Sequence, residues 1–332
     1  MTETLASAWV IIIGFCIFMY VLLDGFDLGI GILFLFIKKT DERNLMVSSI
    51  LPVWDGNQTW LVLGGASLYG AFPLAFSLLL PTLYLPLFTM VIGLLLRGIT
   101  FEFRLKAKKS LPVWDFIFSA SSILVTCIQG LLLGSFVSGF VFNADGTSLS
   151  YTLFTPFNVC CSVALLFGYT LLGATWIIMK TTGFLQDKMY KAAKICLMMV
   201  AIFLVIISIW SPFIDPQIQA IWFNPNKIYK LAILPAFTAL MLLYCARCIS
   251  QKREAIIFWL CVGIFACAYL GFGISTWPYI IPHTMNFWQA ASAPSSLLFM
   301  LFGALLLLPV LLGYTMYSYY LFRGKIIEPI AY

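Results

Sequence analysis

The chain has 332 residues, of which 62% are hydrophobic and only 10% charged, and its net charge is +6 at pH 7. This composition excludes a soluble globular domain, because charged residues normally make up about a quarter of such a domain. The apolar runs are long and continuous rather than short and alternating, so the composition also excludes a membrane β-barrel. It predicts an all-α integral membrane protein.

Nine apolar runs are long enough to cross a bilayer as helices, and we expect them to form one polytopic membrane domain over residues 1–332. The first run lacks the basic flank of a signal peptide, so we expect it to remain as a span. It also exceeds the ~20 residues that a crossing needs, which predicts a tilted or bent helix. The predicted spans are 8–36, 56–79, 82–100, 116–140, 156–179, 195–213, 228–247, 256–276 and 295–320.

The basic residues define the orientation. Of the 19 Lys and Arg residues, all except Lys227 and Lys230 fall in loops or span ends on one side of this nine-span arrangement. The positive-inside rule places that side in the cytoplasm, with the N-terminus outside. The positive net charge therefore reflects membrane topology and gives no indication of a nucleic-acid partner.

Two carboxylates, Asp24 and Asp27, lie inside the first apolar run. An Asp within a membrane span costs a few kcal/mol and usually faces a protein interior and a function. The two residues are three positions apart and so share a helix face. A third acid, Asp55, begins the second run from the same side, flanked by Trp54 and Asn57. We expect the three acids to converge near the cytoplasmic surface.

Two interpretations of these acids stay open. Buried carboxylates that lie close together resist ionisation, which suits a site that accepts protons from the cytoplasm. Alternatively, Asp24 and Asp27 hold the helix bundle together by hydrogen bonds, and Asp55 acts as the N-cap of the second span.

A second polar set, Arg97, Glu102 and Arg104, lies at the cytoplasmic end of the third span. It predicts either an interfacial ion-pair network that anchors the chain to anionic lipid or the walls of a proton entrance. The one histidine, His283, lies in an outer loop. It is either a satisfied loop residue or a contact to a partner subunit or ligand.

The sequence shows no cofactor site of its own. One histidine cannot make a bis-histidine haem site, and the Cys-x-x-Cys-His motif of covalent haem attachment is absent. The nine cysteines lie almost entirely in apolar spans, which indicates free, buried thiols. We therefore predict no metal, no catalytic residue and no cofactor bound through ligands of this chain.

Several motifs together resemble subunit II of the cytochrome bd-type quinol oxidases. The N-terminal signature is carried by Gly25–Gly31, Asn44–Ser49 and Pro52–Leu61, and Phe101-Glu102-Phe103-Arg104 resembles the element after the third span. Trp277-Pro278-Tyr279 and Ser295-Ser296 resemble segments near the C-terminus. The chain length and the Trp-Pro-Tyr loop are most similar to the cyanide-insensitive branch.

The resemblance implies two four-helix bundles, here 1–140 and 156–276, and a peripheral ninth helix at 295–320. It implies a heterodimer with a haem-bearing subunit I, which holds two haems b and haem d. That complex oxidises quinol and reduces oxygen to water with cytoplasmic protons in the bacterial cytoplasmic (inner) membrane. It also allows a structural quinone, small accessory single-span subunits and bound membrane lipids.

By the same resemblance, Asp55 matches the family's proposed proton-uptake acid, and Asp27 and Asp24 fall in the motif of the first span. Glu102 completes the predicted proton path, and the predicted entrance residues are Trp54, Asn57, Arg97 and Arg104. Some relatives have a histidine where this chain has Val53, so a proton path here has to work without it.

We therefore predict a subunit II that scaffolds subunit I and contributes a cytoplasmic proton path, in which Asp55 is the stronger candidate. Asp24 and Asp27 either carry the proton or hold the entrance in shape. The main alternative is a secondary transporter or channel that uses the intramembrane carboxylates as a coupling-ion site. Against it, the sequence contains no clear inverted repeat with broken spans in matching positions. A third interpretation is a purely structural assembly subunit.

Overall fold

The computed structural model describes residues 2–144 and 146–328, and helix dominates both stretches. Met1, Asp145 and residues 329–332, which the predicted domain 1–332 includes, lie outside the described residues. The helices of the described chain are α1 (Thr2–Leu33), α2 (Thr40–Ile50), α3 (Trp54–Ala71), α4 (Pro73–Thr82), α5 (Tyr84–Lys106), α6 (Leu111–Ser138), α7 (Pro156–Lys180), α8 (Gly183–Ile214), α9 (Pro216–Trp222), α10 (Ile228–Leu231), α11 (Ile233–Ser250), α12 (Glu254–Thr276), α13 (Phe287–Ala290) and α14 (Pro294–Leu321).

Eight segments within the described residues are long and apolar enough to cross a membrane: α1, α5, α6, α7, α8, α10 with α11, α12 and α14. This confirms the predicted all-α membrane fold. The predicted span 195–213 is the C-terminal part of α8, which begins at Gly183. The first turns of α8 carry Lys188, Lys191 and Lys194, and these charges explain why the apolar run begins later than the helix.

The predicted span 56–79 forms two helices rather than one. α3 ends at Ala71 and α4 begins at Pro73, and Phe72 between them has non-helical backbone angles (φ −132°, ψ 61°). A proline disfavours helical backbone at the residue before it but is well accepted in the first turn of a helix. Pro73 therefore ends α3 and starts α4. The nine predicted spans correspond to eight apolar segments and this broken pair.

Two short hairpins lie on the predicted outer face. β1 (Val141–Phe142) pairs antiparallel with β2 (Leu149–Ser150), and β3 (Tyr279–Ile281) pairs antiparallel with β4 (Met285–Asn286). The two hairpins are joined by a backbone hydrogen bond, in which the Phe140 amide donates to the Pro282 carbonyl at 3.3 Å. On the opposite face, a 3₁₀ turn (Phe34–Phe36) leads from α1 into α2.

The C-terminal part of α1 and the start of the turn after it are enclosed by protein on all sides, since every residue from 24 to 34 is buried. α1 packs against α3, α6 and α7. A Cβ at Gly29 would lie 1.8 Å from the Tyr169 carbonyl oxygen of α7, so only glycine allows this approach. Small residues permit such close backbone packing between membrane helices. This packing keeps the side chains of Asp24 and Asp27 inside the protein and away from lipid.

The last helix, α14, is far less enclosed. Leu297 is the one residue of its described part that is fully buried. α14 packs against α1 and α3. The division into bundles 1–140 and 156–276 with a peripheral helix at 295–320 stays a prediction.

Candidate functional site

The centre of the site is a buried ion pair between α1 and α5. The Arg97 guanidinium donates from Nη2 to Oδ1 of Asp24, and both side chains are fully buried. A buried charge is tolerated only when a partner compensates for its lost hydration. Arg97 Nε, Arg97 Nη1 and Asp24 Oδ2 have no hydrogen-bond partner among the described residues. The pair therefore leaves polar capacity that internal water can satisfy.

Asp27 lies one helical turn further along α1 and is held differently. Its Oδ2 accepts a hydrogen bond from Asn57 Nδ2 at 2.8 Å, and its Oδ1 has no partner among the described residues. The same Asn57 nitrogen donates to the Leu23 carbonyl at 3.1 Å. The Asn57 Oδ1 accepts from the Tyr319 hydroxyl of α14 at 2.8 Å. Asp27 is therefore a buried carboxyl with one oxygen bound and one oxygen free.

A chain of neutral polar groups extends the site toward the middle of the membrane. The Tyr169 hydroxyl donates to Gln129 Oε1, and Gln129 Nε2 donates to the Tyr20 hydroxyl, both at 2.7 Å. Tyr20 lies on α1, one turn before Asp24, and interacts electrostatically with that carboxylate. The polar site thus continues from α1 through α6 to α7.

A separate polar network lies nearer the predicted cytoplasmic surface. Asp115 of α6 accepts from Arg104 Nε at 2.6 Å and from Arg43 Nη1 at 2.7 Å. Arg104 also donates to Asn44 Oδ1 at 2.9 Å. Both guanidinium groups lie over the Phe34 ring, at 5.6 Å for Arg43 and 5.5 Å for Arg104. This network fastens α2 to α5 and α6 at the end of α1.

These contacts correct the predicted network of Arg97, Glu102 and Arg104. Arg97 pairs with Asp24, and Arg104 pairs with Asp115. Glu102 is exposed and makes no ion pair with any described residue. The reason is the helical repeat: Arg97 and Arg104 are seven residues apart and share the inner face of α5, whereas Glu102 lies on the outer face.

The predicted capping role of Asp55 is wrong. Val53 is the N-cap of α3, no side chain makes a capping hydrogen bond there, and Asp55 lies in the first turn. The Asp55 side chain is exposed. The structure therefore brings Asp24, Asp27, Arg97 and Asn57 together and leaves Asp55 at the surface. An acid in a first turn still interacts favourably with the helix dipole.

Trp54 forms the wall beside this surface acid. Its ring lies 4.9 Å from that of Phe101, centroid to centroid, and packs on Gly98 of α5. The predicted entrance residues Trp54, Asn57, Arg97 and Arg104 are all at the predicted cytoplasmic end of the protein. They belong to two clusters, because Asp24 binds Arg97 whereas Asp115 binds Arg104.

His283, in the outer hairpin, is bound by protein. Its Nε2 lies 2.7 Å from Asp215 Oδ2, and its ring packs on Gly139. His283 is therefore satisfied by a partner within the chain. No group of three or more His, Cys, Asp or Glu side chains that could hold a metal ion occurs in the described chain.

Several residues of the site could not be predicted from the sequence. Gln129, Tyr20 and Tyr169 look like ordinary members of apolar spans, and Tyr319 is 262 positions from Asn57. Asp115 offers a weak signal, because it is an acid directly after a lysine-rich loop. The periodicity of one helix cannot show which residues of another helix contact it.

The fold and the site define a class: a polytopic helical membrane protein that encloses an ion pair and a second carboxyl between α1, α3 and α5. The profile of a known family, cytochrome bd terminal oxidase subunit II, matches residues 5–322. The chain therefore belongs to the cytochrome bd terminal oxidase subunit II family.

Individual relatives agree with this assignment. Cytochrome bd-I ubiquinol oxidase subunit 2 of Escherichia coli K12 is 25% identical over 362 aligned residues, which cover 98% of this chain and 96% of that protein. Cytochrome bd ubiquinol oxidase subunit 2 of Bacillus subtilis is 25% identical, with 99% of both chains covered. A chain in the structure of the bd oxidase from Geobacillus thermodenitrificans matches with a TM-score of 0.79 at 17% identity, covering 96% of this chain and 98% of that one.

Proposed function

We propose that this chain scaffolds the haem-bearing subunit of a bd-type quinol:oxygen oxidase and supplies part of the cytoplasmic proton path to its oxygen-reduction site. The setting is the bacterial cytoplasmic membrane, the electron donor is quinol, and the haems belong to the partner subunit. The single observation that carries the proton role is the Asp27 carboxyl, which is fully buried with one oxygen free of any described donor.

The two intramembrane acids have different roles. Asp24 forms an ion pair with Arg97, so it is fixed as the anion that neutralises a buried guanidinium. Asp27 accepts one neutral hydrogen bond from Asn57 and has a second oxygen available. A carboxyl in this state can take up and release a proton without breaking an ion pair. We therefore assign the proton to Asp27 and the structural role to Asp24.

The exposed acids extend the path to the surface. Asp55 lies in the first turn of α3, two residues before Asn57, and Glu102 lies on the outer face of α5. Exposed carboxylates at the mouth of a site raise the local concentration of cations, including protons. In this proposal Asp55 and Glu102 collect protons, and Asp27 holds them inside the protein.

The family match favours this function over a stand-alone secondary transporter. A direct test is to purify the protein with whatever it binds and record a reduced-minus-oxidised absorption spectrum. We expect haem signals from a stoichiometric partner subunit. A homogeneous preparation without a haem-bearing partner would contradict the oxidase proposal.

The proton role is tested on the assembled complex in liposomes, by measuring quinol-driven oxygen consumption and proton uptake per haem. In Asp27→Asn we expect both to fall by about 100-fold, in the range that a positioned acid or base contributes. Asp187→Asn, which removes an exposed ion pair with Lys252 on the same side, is the matched control and should leave both rates unchanged.

The assembly-only alternative gives a different result. If this chain only holds the complex together, Asp27→Asn will lower the yield of the complex or its haem content, while turnover per haem stays normal. Normal turnover in Asp27→Asn would therefore refute the proton role and leave the scaffold role intact.

A further inference from the structure

A narrow crevice opens between the start of α3 and the last turns of α14, on the side where Asp55 is exposed. Its walls are as much apolar as polar: Pro52 and Val53 line it together with Asn57, Tyr314, Thr315, Ser318 and Tyr319. Four hydroxyl side chains and an amide offer hydrogen-bond partners along the crevice. The space admits about one water molecule, which needs two to four polar partners to be held there.

The crevice ends one side chain away from Asp27. Asn57 forms its inner end, accepting from the Tyr319 hydroxyl and donating to Asp27 Oδ2, both at 2.8 Å. Behind this amide, Asp27 Oδ1 has no described partner. Asn57 and Tyr319 therefore lie between the crevice and the Asp27 carboxyl.

The Tyr319 side chain is positioned from both sides. Its ring packs edge-on against Phe26 of α1 and Trp176 of α7, with centroid distances of 6.4 and 5.8 Å. The segment after α14 is tied to the α7–α8 connection: the Ile326 amide donates to the Lys180 carbonyl at 2.8 Å, and Lys325 donates to the Thr181 carbonyl at 2.9 Å. The packing of the Tyr319 ring and the anchored segment after α14 therefore hold the Tyr319 hydroxyl next to Asn57.

The crevice wall formed by α14 is less firmly packed than the wall formed by α3. Leu297, at the opposite end of α14, is its one fully buried residue in the described chain. On α3, Asn57, Trp60, Gly64, Ser67 and Ala71 are all buried. A helix with few buried contacts can shift at low cost, whereas its neighbour cannot.

We propose that this crevice is the aqueous route by which protons reach Asp27, and that the Tyr319–Asn57 hydrogen bond is its inner gate. When the gate opens, a hydronium ion in the crevice transfers its proton to the Asp27 carboxylate and leaves as water. Tyr319 is a positioning residue in this scheme. This inference rests on the proposed proton role of Asp27. The accessibility of Asp27 through the crevice can nevertheless be measured in a complex that is not turning over.

The test measures the rate at which a water-soluble carbodiimide and an amine nucleophile modify Asp27 in the assembled complex, read by peptide mass spectrometry. Tyr319→Phe keeps the ring packing and removes the hydrogen bond to Asn57. We expect about fivefold faster modification of Asp27, the change that the loss of one neutral hydrogen bond gives in an open–closed equilibrium. Tyr317→Phe, on the exposed side of α14, is the matched control and should leave the rate unchanged.

A blocking experiment tests the same route in the opposite direction. Ser318→Cys places a thiol in the crevice wall, and a positively charged methanethiosulfonate applied from the cytoplasmic side should label it and slow the modification of Asp27. Met316→Cys, which is exposed on the other side of α14, should not affect Asp27 when treated in the same way. Thr315→Cys, also in the crevice wall, repeats the test if Ser318→Cys assembles poorly.

The outcomes separate the two proposals. If neither Tyr319→Phe nor blocking at Ser318 or Thr315 changes the modification rate of Asp27, the crevice is not the route, whatever the role of Asp27. If both change that rate but Asp27→Asn turns over normally, the route stands and the proton role of Asp27 is refuted. Support for both requires that the blocked Ser318→Cys complex also loses proton uptake while the treated Met316→Cys complex does not.

Discussion

The first and last membrane helices, α1 and α14, are similarly long and apolar, yet their surroundings are opposite. α1 carries Asp24 and Asp27 in a stretch, 24–34, that protein encloses completely. α14 carries no charge from Pro294 to Leu321 and has one fully buried residue in its described part. The difference teaches that intramembrane charge is placed where other helices can compensate for it, and that an uncharged helix can border lipid or a partner. Tyr319 of α14 contributes to the site of α1, because its hydroxyl donates to Asn57, which binds Asp27.

The largest effect should come from breaking the buried ion pair of α1. Asp24→Asn leaves the Arg97 guanidinium buried without a counter-charge, and we expect a loss of about 3–5 kcal/mol in stability. Thermal denaturation of the purified complex in detergent would measure it as a large drop in the midpoint temperature. The double variant Asp24→Asn with Arg97→Gln should recover much of the loss. Equal damage in the single and double variants would contradict the pairing.

The second prediction compares an uncharged buried side chain of α1 with an exposed one of α14. Phe26 is fully buried, stacks on Trp176 with a centroid distance of 4.4 Å, and leaves a large cavity when truncated. Phe26→Ala should cost about 3 kcal/mol by the same thermal assay. Phe299 of α14 is 80% exposed, so lipid or detergent replaces its contacts, and Phe299→Ala should be nearly neutral. Similar losses at both positions would show that α14 is as well packed as α1.

A smaller effect is expected from glycine substitutions in the two helices. A Cβ at Gly29 of α1 would collide with the backbone of α7, whereas no atom lies within 4 Å of a Cβ at Gly303 of α14. We expect Gly29→Ala to destabilise by about 2 kcal/mol through forced separation of α1 and α7, and Gly303→Ala to have no such effect. The measurement is again the midpoint temperature. A neutral Gly29→Ala would mean that the two backbones do not approach this closely.

The smallest effect concerns the contact between the two helices. Tyr319→Phe removes one neutral hydrogen bond to Asn57 and should cost about 1 kcal/mol. Tyr314→Phe serves as the control, because the Tyr314 hydroxyl makes no hydrogen bond to a described side chain and the residue is 63% exposed. A loss as large as that of Asp24→Asn would show that Tyr319 is a main structural support of the site.

Much of the architecture could be predicted from the sequence because it depends on local chemistry. Long apolar runs and the distribution of Lys and Arg indicate the helices and their sides of the membrane. The broken second span could have been predicted as well, because Pro73 makes the preceding residue unfavourable for helix. Asp24 and Asp27 were identified as site residues for the same kind of reason, since an uncompensated charge in lipid is too costly.

The partners of these acids could not be predicted. Asp24 pairs with Arg97, 73 positions away, and Asp27 reaches Tyr319 through Asn57. The exposure of Asp55 and Glu102 also depends on which face of α3 and α5 turns inward. Sequence motifs group residues that are close along the chain, so they placed Arg97, Glu102 and Arg104 in one network where the structure has two.

By itself, the sequence determined that this protein crosses the membrane as helices and that its first span contains charges in need of compensation. Hydrophobic length, basic residues and the cost of charge in lipid act within single segments, and a linear sequence displays them directly. Only the tertiary structure decided that Asp24 is neutralised, that Asp27 keeps a free oxygen, and that α14 places Tyr319 beside a crevice leading to it. Those features depend on the rotation and close approach of helices from distant parts of the chain.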